Sequence, residues 1–249
     1  DRCGFFVQPV CPAGRGFCLC AVEDRALHQN REKVKSMVDE KLVKLITERV
    51  IEKIREYQTY KIPIGVSNRH VHVTKEDLEI LYGPGYELTK KGDLKQPGQF
   101  ASNETVTVRG PKGEFKNVRI LGPVRSKSQV EISKTDSFRL GIKPPVRESG
   151  DLAGTPGVEL VGPKGTVALP EGAIVALRHI HMTPEQAMAM GVKDKDVVEV
   201  ETFGERSGVF GDVLVRVSDK FSLEMHVDID EANACALKNN DYVILRKKN

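Results

Sequence analysis

Two stretches of this 249-residue chain, "HVHVTKEDLEILYG" from His70 and "HIHMTPEQAMAMGV" from His179, correspond position by position. Each reads His, apolar, His, apolar, Thr, and then the pattern of a short helix. Such a repeat constrains the fold more than composition does, because one supersecondary unit has to be built twice. Thr74 and Thr183 stand where N-caps are expected, with Asp77 and Gln186 three residues on to complete capping-box-like starts, and Pro184 takes the first helical position. Further along, "VRILGPVRSKSQVEISKTD" and "VLVRVSDKFSLEMHVDIDE" lie over one another without gaps, which sets Glu131 opposite His226. The chain reads as two copies of one unit, residues 61–150 and 151–249, joined within "RESGDLAGTPG".

The units are β-rich. After Lys61 the text consists of short β-branched runs such as "ETVTVRGPKGEFKNVRIL", "GVELVGPKGTVALP", "DVVEVETFGERSGVFGDVLVRVS" and "DYVILRKK", with "GPKG" twice at hairpin tips. Helical patterns are few, chiefly after Thr74, after Thr183 and around "DEANACAL". The expected fold is mainly β: two β-barrel domains related by internal duplication, each capped by short helices. Residues 1–60 form an N-terminal extension. Within it Arg31–Gln58 lacks Gly and Pro and carries Val34, Val38, Leu42, Ile46, Val50 and Ile54 at four-residue intervals, the stripe of an amphipathic helix. That stripe suits docking on the body or on a neighbouring subunit of a homo-oligomer, and equally a targeting helix that binds another protein's surface.

Charge excludes more than it assigns. A net charge of +3 is too mild to argue for nucleic acid, though it tolerates an anionic small-molecule partner. No run of about 18 apolar residues is present, so no membrane span is expected. Cys3, Cys11, Cys18 and Cys20 crowd the first twenty residues and leave only Cys235 beyond, so no disulfide framework supports the body. Their spacing is not that of a paired zinc knuckle, and a reducing cytosol would keep them as thiols; a labile metal or redox site is the sharper alternative. The opening "DRCGFFVQPVCPAGRGFCLC" lacks a basic segment leading into a continuous apolar stretch, and a secretory signal is not expected.

The histidines point to metal. In an extended strand residues i and i+2 project from one face about 7 Å apart, so His70 and His72 converge while Val71 packs on the other side. His179 and His181 do likewise around Ile180. If the copies fold alike, Glu131 joins the first pair and His226 the second, which uses five of the six histidines. Three protein ligands leave a fourth position open, the pattern of catalytic rather than structural zinc. Zinc is the first choice for His-rich donors; cobalt, iron or manganese also suit the mixed His/Glu group. The duplication predicts that both groups face a shared cleft.

These motifs, "SNRHVHVTKEDLEILYG", "ILGPVRSKSQVEIS", "RHIHMTPEQA" and "MHVDIDEANA", resemble the PduL-type phosphotransacylases, also called phosphate propanoyltransferases, over about Pro63 to Lys247. The resemblance implies two β-barrels capped by short helices and two zinc ions between them. It further implies reversible transfer of a short acyl group, propanoyl or acetyl, between coenzyme A and inorganic phosphate, so acyl-CoA, CoA, phosphate and acyl phosphate are the expected partners. Ligands carry over to His70, His72 and Glu131 and to His179, His181 and His226. The family's phosphate-contacting arginine falls on Arg125, and Arg216 is a second candidate for CoA or phosphate contact, its alternative being an outward strand charge. Cys235 reads as a small apolar residue of a helical cap rather than a nucleophile. Some relatives carry an N-terminal peptide that directs them into a bacterial microcompartment, which makes Arg31–Gln58 a candidate shell contact and the cytoplasm or compartment lumen the expected location. A binuclear zinc hydrolase would use the same ligands, and a non-catalytic metal-stabilised barrel would need four per site.

Overall fold

The computed structural model describes residues 40–54 and 61–246. The N-terminal cysteines and both ends of the Arg31–Gln58 helix lie outside them. The described residues fall in two separate compact units, 40–54 and 61–246. In the first, residues 40–54 are helical (α1), with Leu42, Ile46, Val50 and Ile54 exposed. No helix among the described residues is long and apolar enough to cross a membrane.

The second unit is mainly β. Its strands are β1 (Lys61–Ser67), β2 (His70–His72), β3 (Lys90–Asp93), β4 (Phe100–Arg109), β5 (Glu114–Gly122), β6 (Gln129–Glu131), β7 (Val146–Arg147), β8 (Val158–Val161), β9 (Thr166–Leu169), β10 (Ala173–Ala176), β11 (His179–Met182), β12 (Val197–Glu201), β13 (Val209–Val217), β14 (Glu224–Asp228) and β15 (Tyr242–Arg246). Four short helices interrupt them: α2 (Lys75–Tyr82), α3 (Lys134–Leu140), α4 (Pro184–Met190) and α5 (Ile229–Ala234).

One half is a closed barrel in the order β1-β14-β11-β13-β12-β15. The other half departs from the expected second barrel. It is an open sheet in the order β7-β10-β6-β2-β5-β4-β8-β9, with β3 on β4. The duplication remains visible in the pairing. β2 lies parallel to β5 and antiparallel to β6, as β11 lies parallel to β13 and antiparallel to β14. β8 stands to β4 as β15 stands to β12. In the barrel β15 closes onto β1; in the sheet the equivalent edges are occupied by β9 on β8 and β7 on β10, so they never meet.

Sheet membership does not follow chain order. β1 pairs in parallel with β14, and its Ile62 and Ile64 are buried in the barrel core with Ile180, Met182, Val215 and Met225. β10 pairs in parallel with β6 in the other half. Each copy's leading strand has thus been exchanged with the other copy's, and each chain crosses between halves immediately before its His-x-His strand. The crossings, Asn68-Arg69 and Leu177-Arg178, are what bring the two histidine pairs to a common place.

Local signals explain the helices. The Thr74 and Thr183 hydroxyls accept from the Asp77 and Gln186 N–H groups, and Gln186 completes a reciprocal box. Asp77 instead takes a hydrogen bond from the Ser128 hydroxyl. α3, which the sequence reading did not include, is capped by Ser133 with Asp136, and α5 by Asp228 with Glu231. Both "GPKG" tips dock on helix ends: Lys112 N–H donates to Leu140 O and Lys164 N–H to Leu81 O. Only glycine fits at the foot of the first, since a Cβ on Gly110 would stand 2.3 Å from Leu140 O.

Candidate metal centre and active site

β2 and β6 pair His70 with Glu131, and β11 and β14 pair His179 with His226, at the same register. The expected trios are therefore formed: the ligand atoms of His70, His72 and Glu131 lie within 4.8 Å of one another, as do those of His179, His181 and His226. Val71 and Ile180, on the opposite strand face, are fully buried in the two cores. Both trios open on one cavity of about 650 Å³, whose wall also includes Arg125 and Arg216.

The hydrogen bonding suits a cation. His70 Nδ1 lies 2.8 Å from Asn68 O, and His179 Nδ1 lies 2.7 Å from Leu177 O. A carbonyl only accepts, so each Nδ1 carries a proton, and in the neutral form of either ring the lone pair is on Nε2. His72 and His181 each bury an Nδ1 with no hydrogen-bond partner among the described residues. A buried polar atom without a partner is costly, and the same feature recurs at equivalent places in both copies. Three imidazole or carboxylate donors in each trio fit zinc.

Electrostatics differ between the trios. Burial, reinforced by neighbouring His226, pushes the His179 pKa down to about 4, and burial with the other two rings pushes His181 down to about 2. Both rings are neutral at pH 7, so a metal need displace no proton from them. In the first trio burial followed by the His70 and Arg125 charges lowers His72 to about 3. Burial alone would also lower His70, but the Glu131 carboxylate and its hydrogen bond outweigh it and leave the pKa raised. Burial works against the Glu131 charge in turn, yet His70, His72 and Ser149 hold that carboxyl well below the usual range.

Arg125 is fixed at the exit of β2 by its own N–H, which donates to Val73 O at 2.8 Å. Its Nη1 donates to the Ser149 hydroxyl at 3.0 Å. Burial, and then the opposing charge of Arg216, lower its pKa, with Glu131 acting the other way. Among the described residues neither Arg125 nor Arg216 has an ion pair. By contrast Arg69 clasps Asp136 through Nε and Nη2 (2.9 and 2.8 Å), and Arg178 meets Glu231 at 2.8 Å. Two uncompensated guanidinium groups on one cavity wall make an anion site.

The phosphate propanoyltransferase family model matches residues 63–238 of this chain. The phosphate propanoyltransferase of Thermotoga maritima is 56% identical over 207 residues, 81% of this chain and 99% of the relative. Those of Rhodopseudomonas palustris and Enterococcus faecalis are each 52% identical, covering 76% and 77% of this chain and 84% and 91% of their own lengths. The chain belongs to the phosphate propanoyltransferase family. It is a phosphotransacylase by that membership. The family match spans both trios, Arg125 and Arg216.

Three polar residues of this centre have no signal in the motifs of the sequence itself. Ser149, in the presumed linker, donates to Glu131 Oε1 at 2.8 Å. Gln129 Nε2 donates to the same oxygen at 2.6 Å, and Glu224 Oε2 lies 2.8 Å from His226 Nε2. The signal that could have found the last two is the ungapped overlay, which places Gln129 opposite Glu224. Cys235 caps α5 against the barrel core and is absent from the cavity wall.

Proposed function

We propose that this protein transfers propanoyl, or a similarly short acyl group such as acetyl, between coenzyme A and inorganic phosphate, using two zinc ions. His70, His72 and Glu131 would hold one ion and His179, His181 and His226 the other. The observation that carries the reading is the meeting, on one cavity wall, of two three-donor trios and two uncompensated arginines. When bound, zinc supplies a Lewis acid for the acyl carbonyl and lowers the pKa of a thiol, so the CoA thiolate is accessible near neutral pH.

The chain's own groups supply the rest. Arg125 offers a planar donor fork to two oxygens of the phosphate dianion, and Ser149 orients that fork. Arg216 adds positive charge from the barrel side. A phosphate oxygen held there forms a bond to the acyl carbon as the thioester C–S bond breaks, and CoA leaves as the thiolate. Among the described residues no cysteine on the cavity wall stands ready to carry the acyl group, which favours direct transfer. Each trio has three members among the described residues, one short of the closed shell of a structural zinc.

The test is propanoyl-CoA incubated with and without phosphate, with metal quantified on the same sample. Thiol release should require phosphate and yield acyl phosphate; stripping with a chelator should abolish it and zinc should restore it. Phosphate-independent thiol release would make the protein a hydrolase instead. Well under one zinc per chain in active protein would remove the metal from the reading.

The exposed apolar stripe of α1 supports a docking role for the N-terminal segment, with a microcompartment shell as the proposed partner. Removing residues 1–58 should then abolish co-purification with shells while leaving phosphotransacylase activity. Unchanged co-purification would end that idea.

A further inference from the structure

Gln129 and Glu224 occupy one position of the repeat. Across the strand pairs Gln129 faces His72 and Glu224 faces His181. Each precedes the third member of its trio by two residues and so shares its strand face. Each is buried, at 1% and 7% exposure, and each hydrogen-bonds that third member, through Gln129 Nε2 to Glu131 Oε1 and Glu224 Oε2 to His226 Nε2.

The chemistry of the two pairs is complementary. An ionised carboxylate only accepts, so Glu131 needs a donor beside it, and the amide of Gln129 is one. A ring N–H needs an acceptor, and the carboxylate of Glu224 is one. Between the copies, donor and partner have changed together, from Gln-x-Glu to Glu-x-His. The surroundings are built for this. Ser149 and Gln129 both donate to Oε1 of Glu131, while Oε2 is turned to His70 Nε2 at 3.4 Å. Glu224 fits because its neighbour on β1 is Gly65, where a Cβ would stand 2.7 Å from Glu224 Oε1; Gln96 Nε2 also donates to Glu224, at 3.3 Å.

We infer that Gln129 and Glu224 are positioning residues that choose the coordinating atom of the third ligand in each trio. Gln129 with Ser149 occupies Oε1 of Glu131 and leaves Oε2 for the cation. Glu224 keeps the proton of His226 on Nε2 and leaves Nδ1 for the cation. The inference rests on the metal reading above and adds which atoms bind.

Two measurements test it. Nitrogen-15 NMR of the metal-free wild type reads the His226 tautomer directly: Nε2–H is expected, and Nδ1–H would overturn the role of Glu224. Zinc affinity is then measured by competition with a chromophoric chelator. Glu224→Leu and Gln129→Leu should each weaken one site about 10–100-fold and spare the other, the usual effect of losing such a partner. Glu224→Gln, whose amide oxygen can still accept, should recover to within a few-fold of wild type. Unchanged affinity in both Leu variants, or a Glu224→Gln protein as weak as Glu224→Leu, would overturn the inference while leaving zinc binding intact. Failure of the wild type to bind zinc would overturn the metal reading and this role with it. If a Leu variant does not fold, Glu224→Gln and the wild-type tautomer still decide the matter.

Discussion

His179→Ala is expected to lower phosphotransacylase activity by on the order of 10²–10³-fold or more and to bring zinc content from two per chain towards one. His179 is paired with His226 in register and carries its proton on Nδ1 against Leu177 O, so its Nε2 lone pair is aimed and pre-organised. Alanine leaves His181 and His226, two imidazoles that cannot by themselves hold three of four zinc positions. Loss of one fixed electrostatic stabiliser at a reacting centre is worth about 2.7–4 kcal/mol, which sets the lower end of the activity loss. The other trio shares no side chain with this one and should keep its ion. Folding should change little, because His179 faces the cavity and the core contact of β11 is made by Ile180. Metal analysis beside steady-state rates checks both parts. A variant with two tightly held zinc ions and unaltered rates would show that the trio is not the site.

The local half of this centre could be read from the text. His-x-His in a β-branched setting fixes which side chains share a face, and Thr74 and Thr183 announce the helices that follow, because strand alternation and N-cap chemistry act within a few residues. The third members of the trios were visible only through the repeat: Glu131 and His226 have no local pattern of their own. What escaped depends on long-range pairing. β1 "KIPIGVS" and β10 "AIVA" are short apolar strands whose partners are chosen by burial across the whole unit, so nothing near them in sequence reports that each joins the other copy's sheet. Closure was hidden for the same reason, since an open sheet results simply from β7 and β9 occupying edges that β1 and β15 join in the barrel. Ser149 was missed because a Gly-rich connection reads as a linker; loops laid over a rigid scaffold often carry functional groups.

The two crossings between halves also carry side-chain support for the site. Arg69 and Arg178 stand at the two crossings, each directly before the first histidine of a trio, and each is clamped to the acidic capping residue of the helix that follows the strand of that trio's third member. The strand with two members of a trio and the strand with the third are thereby tied at both their backbone ladder and a side-chain ion pair. Such support keeps a constellation close to its productive geometry.

Arg125→Ala is expected to act differently from the loss of a metal ligand: zinc content unchanged, and kcat/KM for phosphate lower by roughly 10–100-fold. A hydrogen bond to a charged group is worth about 1.5–3 kcal/mol, and in this cavity the guanidinium has the Ser149 hydroxyl but no carboxylate to occupy it. Arg125→Lys should fall between, keeping the charge while losing the planar fork. The variant cannot change the equilibrium between acyl-CoA plus phosphate and acyl phosphate plus CoA. Whatever is lost in the phosphate direction must therefore be lost in reverse, and the acyl phosphate, which carries the same phosphoryl oxygens, should show the matching defect. The KM for propanoyl-CoA, whose thioester does not need this arginine, should move by no more than a few-fold. An Arg125→Ala enzyme with normal phosphate dependence would move the anion site elsewhere on the wall, with Arg216 the next residue to test.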